Sequence, residues 1–209
     1  AGDTVVATID LPADLVEAGG RPHDVILDRR SAYVTLIGVD GDTDAVVRYS
    51  LRTFRERARA EVGDDPHVTI DPRRGPLFVA SQDGSEIVAL DRRTLAETDS
   101  VSIPAAHGLD MTRNGRVVYT TNIAGGGIEA LWAVDAGTGD VIGDPADAPF
   151  PTPHNIVLSG DGRKVYVTHS GATADQVSVY EVSRRHPAPR FVTTVDAGLN
   201  PFGLELVPR

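Results

Sequence analysis

The sequence has no cysteine. That excludes a disulfide framework and a thiolate metal site, so any bound metal must be held by imidazole, carboxylate or backbone oxygen. It also suits an oxidising compartment, and the expectation is a periplasmic or secreted protein whose export signal is not in this chain, since the N-terminus lacks the basic-then-apolar order of a signal peptide. Long apolar runs are missing too: nothing approaches the roughly 18 residues that a membrane-spanning helix needs. Basic charge is in short supply, with 20 Lys and Arg scattered among 30 Asp and Glu for a net charge of −10. This argues against nucleic acid as a partner, because phosphate backbones are bound by clustered cations. No Gly-x-Ser-x-Gly elbow is present, so serine-hydrolase chemistry has no support. "AGGGIEA" (Ala124 to Ala130) has neither the lysine nor the helix start of a phosphate cradle. "DGDTDA" spaces Asp40, Asp42 and Asp44 like the start of a calcium loop, but Ala45 and Leu51 stand where glycine and glutamate are needed, and a solvated hairpin loop fits better.

What the chain does have is repetition. "RPHDVILDRRSAYVTLIG", "DPHVTIDPRRGPLFVASQDG", "AAHGLDMTRNGRVVYTTNIAG" and "PTPHNIVLSGDGRKVYVTHS" are variants of one unit, and their histidines, His23, His67, His107 and His154, are spaced 44, 40 and 47 residues apart. A fifth, cut-off copy begins at "NPFGLELVPR". Each unit reads as short β-rich runs separated by Gly, Asp and Pro, with no long helical period. The one helix-like segment, Leu51 to Val62, falls where the repeat has an outer strand. Repeated four-stranded units of this length predict an all-β protein, a β-propeller of at least four full blades plus a partial fifth. Residues 1–209 form one domain on this reading, either whole or as a portion of a longer propeller. Val25 and Leu27, Val68 and Ile70, and Ile156 and Leu158 are expected to pack between sheets.

"DGRKVYVTHS" with "QVSVYEV", "NGRVVYTTN" with "ALWAVDAGTGDVIG", and "TVVATIDL" together resemble the YVTN-type β-propeller repeat over nearly the whole chain. His169 replaces the usual asparagine of that motif, and Leu36 and Ser81 stand at the same place in two other blades. The resemblance implies a propeller whose relatives include lactonase-like enzymes, lyases, metal oxidoreductases and binding scaffolds. It also implies that Thr4 to Leu11 is an outermost strand and Phe202 to Val207 an innermost one. Their pairing would close the partial fifth blade, with a gap or another chain where its two middle strands are missing. "LVPR" at the end suits either a native strand end or a protease-site remnant.

The four in-phase histidines lie at the start of each innermost strand, which such propellers place beside the central channel. Rotation about the axis then turns four distant positions into a ring of neutral imidazoles, a site for a transition metal, with copper or iron ahead of zinc. Asn122 and His169, after the second strands, become ligand-binding or supporting groups on the same face. Asn122 also suits a turn cap. His186 in "SRRHPAPR" reads as a solvated loop residue. Two functions follow. One is a metal-dependent oxidoreductase; the other is a non-catalytic scaffold that binds a protein or small molecule through its loop face and uses the histidines structurally. Lactonase-type hydrolysis is a weaker third, because such sites use acidic ligands.

Overall fold

The computed structural model describes residues 4–39, 43–123 and 130–206; Asp40, Asp42 and the glycine-rich stretch 124–129 lie outside them. Sixteen strands form four antiparallel four-stranded sheets, each a meander of consecutive strands. Blade 1 comprises β1 (Arg21–Leu27), β2 (Ser31–Ile37), β3 (Asp44–Ser50) and β4 (Glu56–Val62). Blade 2 has β5 (Pro66–Ile70), β6 (Leu77–Ser81), β7 (Glu86–Leu90) and β8 (Glu97–Ser102). Blade 3 has β9 (Ala106–Met111), β10 (Val117–Asn122), β11 (Ala130–Asp135) and the short β12 (Ala146–Asp147). Blade 4 has β13 (Pro153–Leu158), β14 (Lys164–His169), β15 (Gln176–Glu181) and β16 (Arg190–Asp196). The single helix among the described residues, α1 (Ala13–Glu17), is five residues long. The helix-like segment after Leu51 supplies an outermost strand, β4, as its place in the repeat required.

The burial of each strand follows from its place in the blade. Middle strands have neighbouring blades on both faces, so "LFVAS" and "VVYTTN" are buried at every residue. Outermost strands face solvent, and "ETDSVS" is mostly exposed. Between blades the apolar residues interdigitate: Tyr33, Val46 and Val62 of blade 1 pack on Val68, Leu77 and Val79 of blade 2. Phe78 and Ala80 meet Ala106, Met111 and Val118 of blade 3, and Tyr119 and Leu131 meet Ile156, Val165 and Val167 of blade 4. Tyrosine hydroxyls fasten the junctions, Tyr33 donating to the Arg92 carbonyl at 2.9 Å and Tyr119 to the Pro187 carbonyl at 2.9 Å.

The first blade departs from the expected packing. Val25 and Leu27 are 58% and 60% exposed, whereas Ile156 and Leu158 are 7% and 8% exposed and Val68 is buried. The reason is positional: among the described residues no sheet packs over the side of β1 that carries Val25 and Leu27. The rest of that face draws in the N-terminal segment, where Ile9, Leu11 and Leu15 pack on Ala32, Leu36, Ala45, Val47 and Tyr49. The expected closure of a fifth blade by terminal strands is therefore not formed among the described residues. Residues 4–11 have no strand structure, and 202–206 run outside any sheet. Phe202 is held beside blade 4 instead, its carbonyl accepting from Asn155 Nδ2 at 2.9 Å.

Candidate metal centre

Blades 2, 3 and 4 and the segment after blade 4 deliver their in-phase side chains by the same local device, which blade 1 lacks at Arg21. Two residues before each the backbone is left-handed, at Asp65 (φ 54°), Ala105 (φ 47°), Thr152 (φ 55°) and Asn200 (φ 55°). Then follow Pro66, Ala106, Pro153 or Pro201, and next His67, His107, His154 or Phe202. Proline fixes φ and the residue before it is restricted, so the chain turns into the inner strand in one way. In blades 1, 3 and 4 the register then slips between the first and second strands. The amide freed by the slip is taken by a threonine of the second strand: Asp24 N by Thr35 at 2.9 Å, Gly108 N by Thr121 at 3.0 Å, and Asn155 N by Thr168 at 3.0 Å. Thr121 and Thr168 in turn donate to the next in-phase carbonyls, those of His154 at 2.6 Å and Phe202 at 3.1 Å. Blade 2 has no slip and pairs His67 with Ala80. Its Val68 amide goes across the junction to Asp24 Oδ2 at 3.1 Å.

The result is a continuous arc of rings. His23 and His67 have ring centroids 4.6 Å apart, His67 and His107 4.1 Å, His107 and His154 4.4 Å, and His154 and Phe202 4.0 Å. The four predicted histidines are thus brought together, yet they are arranged as neighbours along an arc, with His67 and His154 centroids 6.0 Å apart. Nε2 of His107 lies 3.0 Å from Nε2 of His154, one ring donating to the other's lone pair. Gly108 permits this approach: a Cβ there would lie 2.3 Å from the His154 carbonyl oxygen and 2.9 Å from Asn155 Cα.

Two carboxylates join the arc. Asp65 places Oδ1 3.6 Å from His23 Nε2 and Oδ2 3.6 Å from His107 Nδ1, and its own amide is fixed by Asp44 Oδ2 at 3.0 Å. Asp24 Oδ2 lies 3.5 Å from His67 Nδ1. His23, Asp65 and His67 each offer one ligand atom, and these three atoms lie within 4.8 Å of one another. His67 Nε2, His107 Nδ1 and His154 Nδ1 are buried without a hydrogen-bond partner. Orphaned buried polar atoms are rare and costly in folded proteins, and here three fall on one arc.

Electrostatics keep the inner rings neutral. Burial, reinforced by the nearby charges of His67 and His23, lowers His154 to about 4. Burial also pushes His107 far below the usual histidine range, with His67, His154 and His23 adding to it. Burial would raise Asp24, but its hydrogen bond to and attraction for His67, with the Val68 and Val25 amides, hold it below the ordinary carboxylate range. His107 and His154 are thus neutral, and Asp24 ionised.

Asn122 and His169 serve their own blades. Asn122 Oδ1 accepts from the Ala130 amide at 2.7 Å and from Trp132 Nε1 at 3.0 Å. His169 contacts the Pro151 carbonyl at 3.1 Å through Nδ1 and Ser178 Oγ at 2.7 Å through Nε2. His186 is exposed. Sequence reasoning did not single out Asp65 or Asp24. The corresponding places in the other units hold Arg21, Ala105, Thr152 and Asn200, or Val68, Gly108 and Asn155, so alignment of the repeats hides them.

No protein-family model matches the sequence, and no curated protein matches it. Solved structures do. A functionally unknown protein from Desulfotomaculum acetoxidans has a TM-score of 0.71 at 17% identity, covering 86% of this chain and 57% of its own. Hydrazine synthase of Kuenenia stuttgartiensis gives 0.70 at 16% identity, covering 92% and 52%. The periplasmic gluconolactonase PpgL of Pseudomonas aeruginosa gives 0.68 at 17% identity, covering 90% and 57%. These likenesses establish the fold as a β-propeller. The chain spans a little over half the length of each.

Proposed function

We propose that the chain forms four blades of a YVTN-type, lactonase-like propeller that binds a divalent transition-metal ion on His23, Asp65 and His67. The observation that carries this reading is the mutual approach of those three ligand atoms to within 4.8 Å, with the Nε2 atom of His67 buried and unpartnered. Two imidazoles and one carboxylate suit iron, copper or zinc and leave coordination positions open, whereas the absence of thiolate disfavours soft-metal cargo. This set is smaller than a four-histidine ring and contains an acid, which removes the objection to a hydrolytic site.

Bound there, the ion would polarise a carbonyl oxygen and lower the pKa of a bound water. Asp24 would orient His67 through Nδ1, and His107, reached by the second oxygen of Asp65, would fix that carboxylate. The reaction class we favour is hydrolysis of a lactone or related ester, in keeping with the gluconolactonase among the structural neighbours. Metal-dependent oxidoreduction is the second reading, because two histidines with one carboxylate also form the donor set of non-haem iron oxygenases. The compartment is periplasmic or extracellular on this view, with a small-molecule substrate arriving at the loop face. A scaffold with structural histidines is favoured by one observation: Phe202, which cannot bind metal, takes the next ring position along the arc, its centroid 4.0 Å from that of His154.

The deciding experiment is elemental analysis of protein purified without a nickel column, followed by titration with iron, copper and zinc. Stoichiometric metal that disappears in His23→Ala and His67→Ala supports the centre. No stoichiometric metal with any of the three leaves the scaffold reading.

A further inference from the structure

The basic residues are not as dispersed in space as they are in sequence. Arg29 and Arg30 sit in the turn between β1 and β2, Arg48 on β3, Arg52 in the turn between β3 and β4, and Arg57 on β4, and together they line a cavity of about 560 Å³. The histidines are at the start of β1 and these turns are at its far end, so the cavity lies on the opposite face of the blade. Five of the chain's 20 cationic residues meet here in a protein of net charge −10. Among the described residues none of the five has an acidic side chain within ion-pair distance. The acids beside Arg29 and Arg57 in sequence, Asp28 and Glu56, are already engaged. Asp28 Oδ1 accepts the Arg30 and Ser31 amides at 2.7 Å each and its Oδ2 lies 3.2 Å from the Tyr33 hydroxyl, while Glu56 is paired with Arg59 at 2.7 Å.

The pocket is also built rather than draped. Arg48 is held by Ser31 Oγ at 3.0 Å and by the Arg93 carbonyl at 2.8 Å, and Arg57 donates to Thr53 Oγ1 at 3.3 Å. The two turns are tied together by the Leu51 amide donating to the Arg30 carbonyl at 2.8 Å. Gathering like charges around one concavity costs free energy in the empty protein, and an anion relieves it. All five are arginines, whose planar guanidinium groups match phosphate oxygens bidentately.

We infer that this arginine pocket binds a small molecule carrying two or more phosphate groups. Several cations in one cavity call for more than a single anionic group, and the cavity is of the size that holds small ligands. The acidic remainder of the surface disfavours a long nucleic acid, which would extend beyond the pocket into repulsion.

The test is calorimetric titration of the metal-stripped chain with sodium pyrophosphate and sodium tripolyphosphate, with citrate as a non-phosphate polyanion. Saturable binding of one tripolyphosphate is expected, weakened several-fold as salt rises from about 0.05 to about 0.15 M. The double variant Arg29→Ala/Arg52→Ala, which removes two exposed side chains, should lose about tenfold or more in affinity. The double variant Arg163→Ala/Arg184→Ala, on blade 4, should stay within about twofold of the parent. Absence of saturable binding, equal loss in both double variants, or citrate binding as tightly as tripolyphosphate would each overturn the assignment.

Discussion

Nε2 of His107 and Nε2 of His154 stand 3.0 Å apart although the residues are 47 positions apart in the chain. Such a contact requires that one Nε2 carries a proton and the other does not, and burial of both rings disfavours a positive charge on either. It therefore couples the protonation of the arc to the packing of blade 3 against blade 4.

The coupling makes stability fall in mild acid. In the unfolded chain both histidines titrate near 6.5, while burial lowers folded His154 to about 4 and depresses His107 further. The unfolded state thus binds more protons below pH 6.5, and stability is lost as pH drops from there toward 4. For His154 alone the loss is on the order of 3 kcal/mol. Asp110 runs the other way, since burial raises it to about 6 and it gains a proton more readily when folded. Two histidines outweigh this one acid. Denaturant melts of metal-free protein at pH 7, 5.5 and 4.5 should show the decline, and His154→Phe, which repeats the ring that Phe202 places next along the arc, should flatten it. An undiminished decline in that variant would assign the effect elsewhere.

The close approach at Gly108 gives a second expectation. A methyl group there meets the His154 carbonyl and the Asn155 backbone, neither of which is a flexible side-chain end, so the blades must part. Gly108→Ala should cost about 2–4 kcal/mol, through overpacking and the strained Thr121 bonds. Thr121→Val is milder in shape but strands the Gly108 amide and the His154 carbonyl, at about 1–3 kcal/mol. Thermal melts that move less than about 2 °C for Gly108→Ala would mean the inner strands shift freely.

Blade 1 offers a contrast within one structural position. Leu27→Ser, on the uncovered face, should change stability by less than about 0.5 kcal/mol, whereas Leu158→Ser, buried between blades, should cost about 2–4 kcal/mol. Equal costs would show that something covers β1 in solution.

The contrast also marks where sequence reasoning reaches its end. Periodicity is local, so "VYVTHS" or "LFVAS" declares a strand, and four recurrences at propeller spacing declare the fold. The phase of His23, His67, His107 and His154 was readable for the same reason. Whether a strand is covered depends on which sheet packs over it, and no pattern within Val25–Leu27 encodes that. Asp65 escaped because its function rests on a non-repeated identity at a repeated, left-handed position. The arginine pocket escaped because two turns more than twenty residues apart in sequence converge only once β1, β2 and β3 are paired.

Asp65 is the residue on which the metal reading turns. It is the one acid among the three ligand candidates, it reaches His23 with one oxygen and His107 with the other, and its amide is pinned by Asp44. Asp65→Asn keeps the shape and removes the charge, so it should weaken zinc or iron binding by about 10–100-fold while leaving the melting temperature of the metal-free chain within a few degrees. His154→Ala, which removes a ring outside the three-residue group, should weaken binding less, and His186→Ala not at all. Metal binding should raise the melting temperature of the parent and fail to do so in His67→Ala. If Asp65→Asn binds metal as tightly as the parent while His107→Ala and His154→Ala abolish binding, the ion sits at the other end of the arc. The carboxylate would then be a positioning group for His23 and His107.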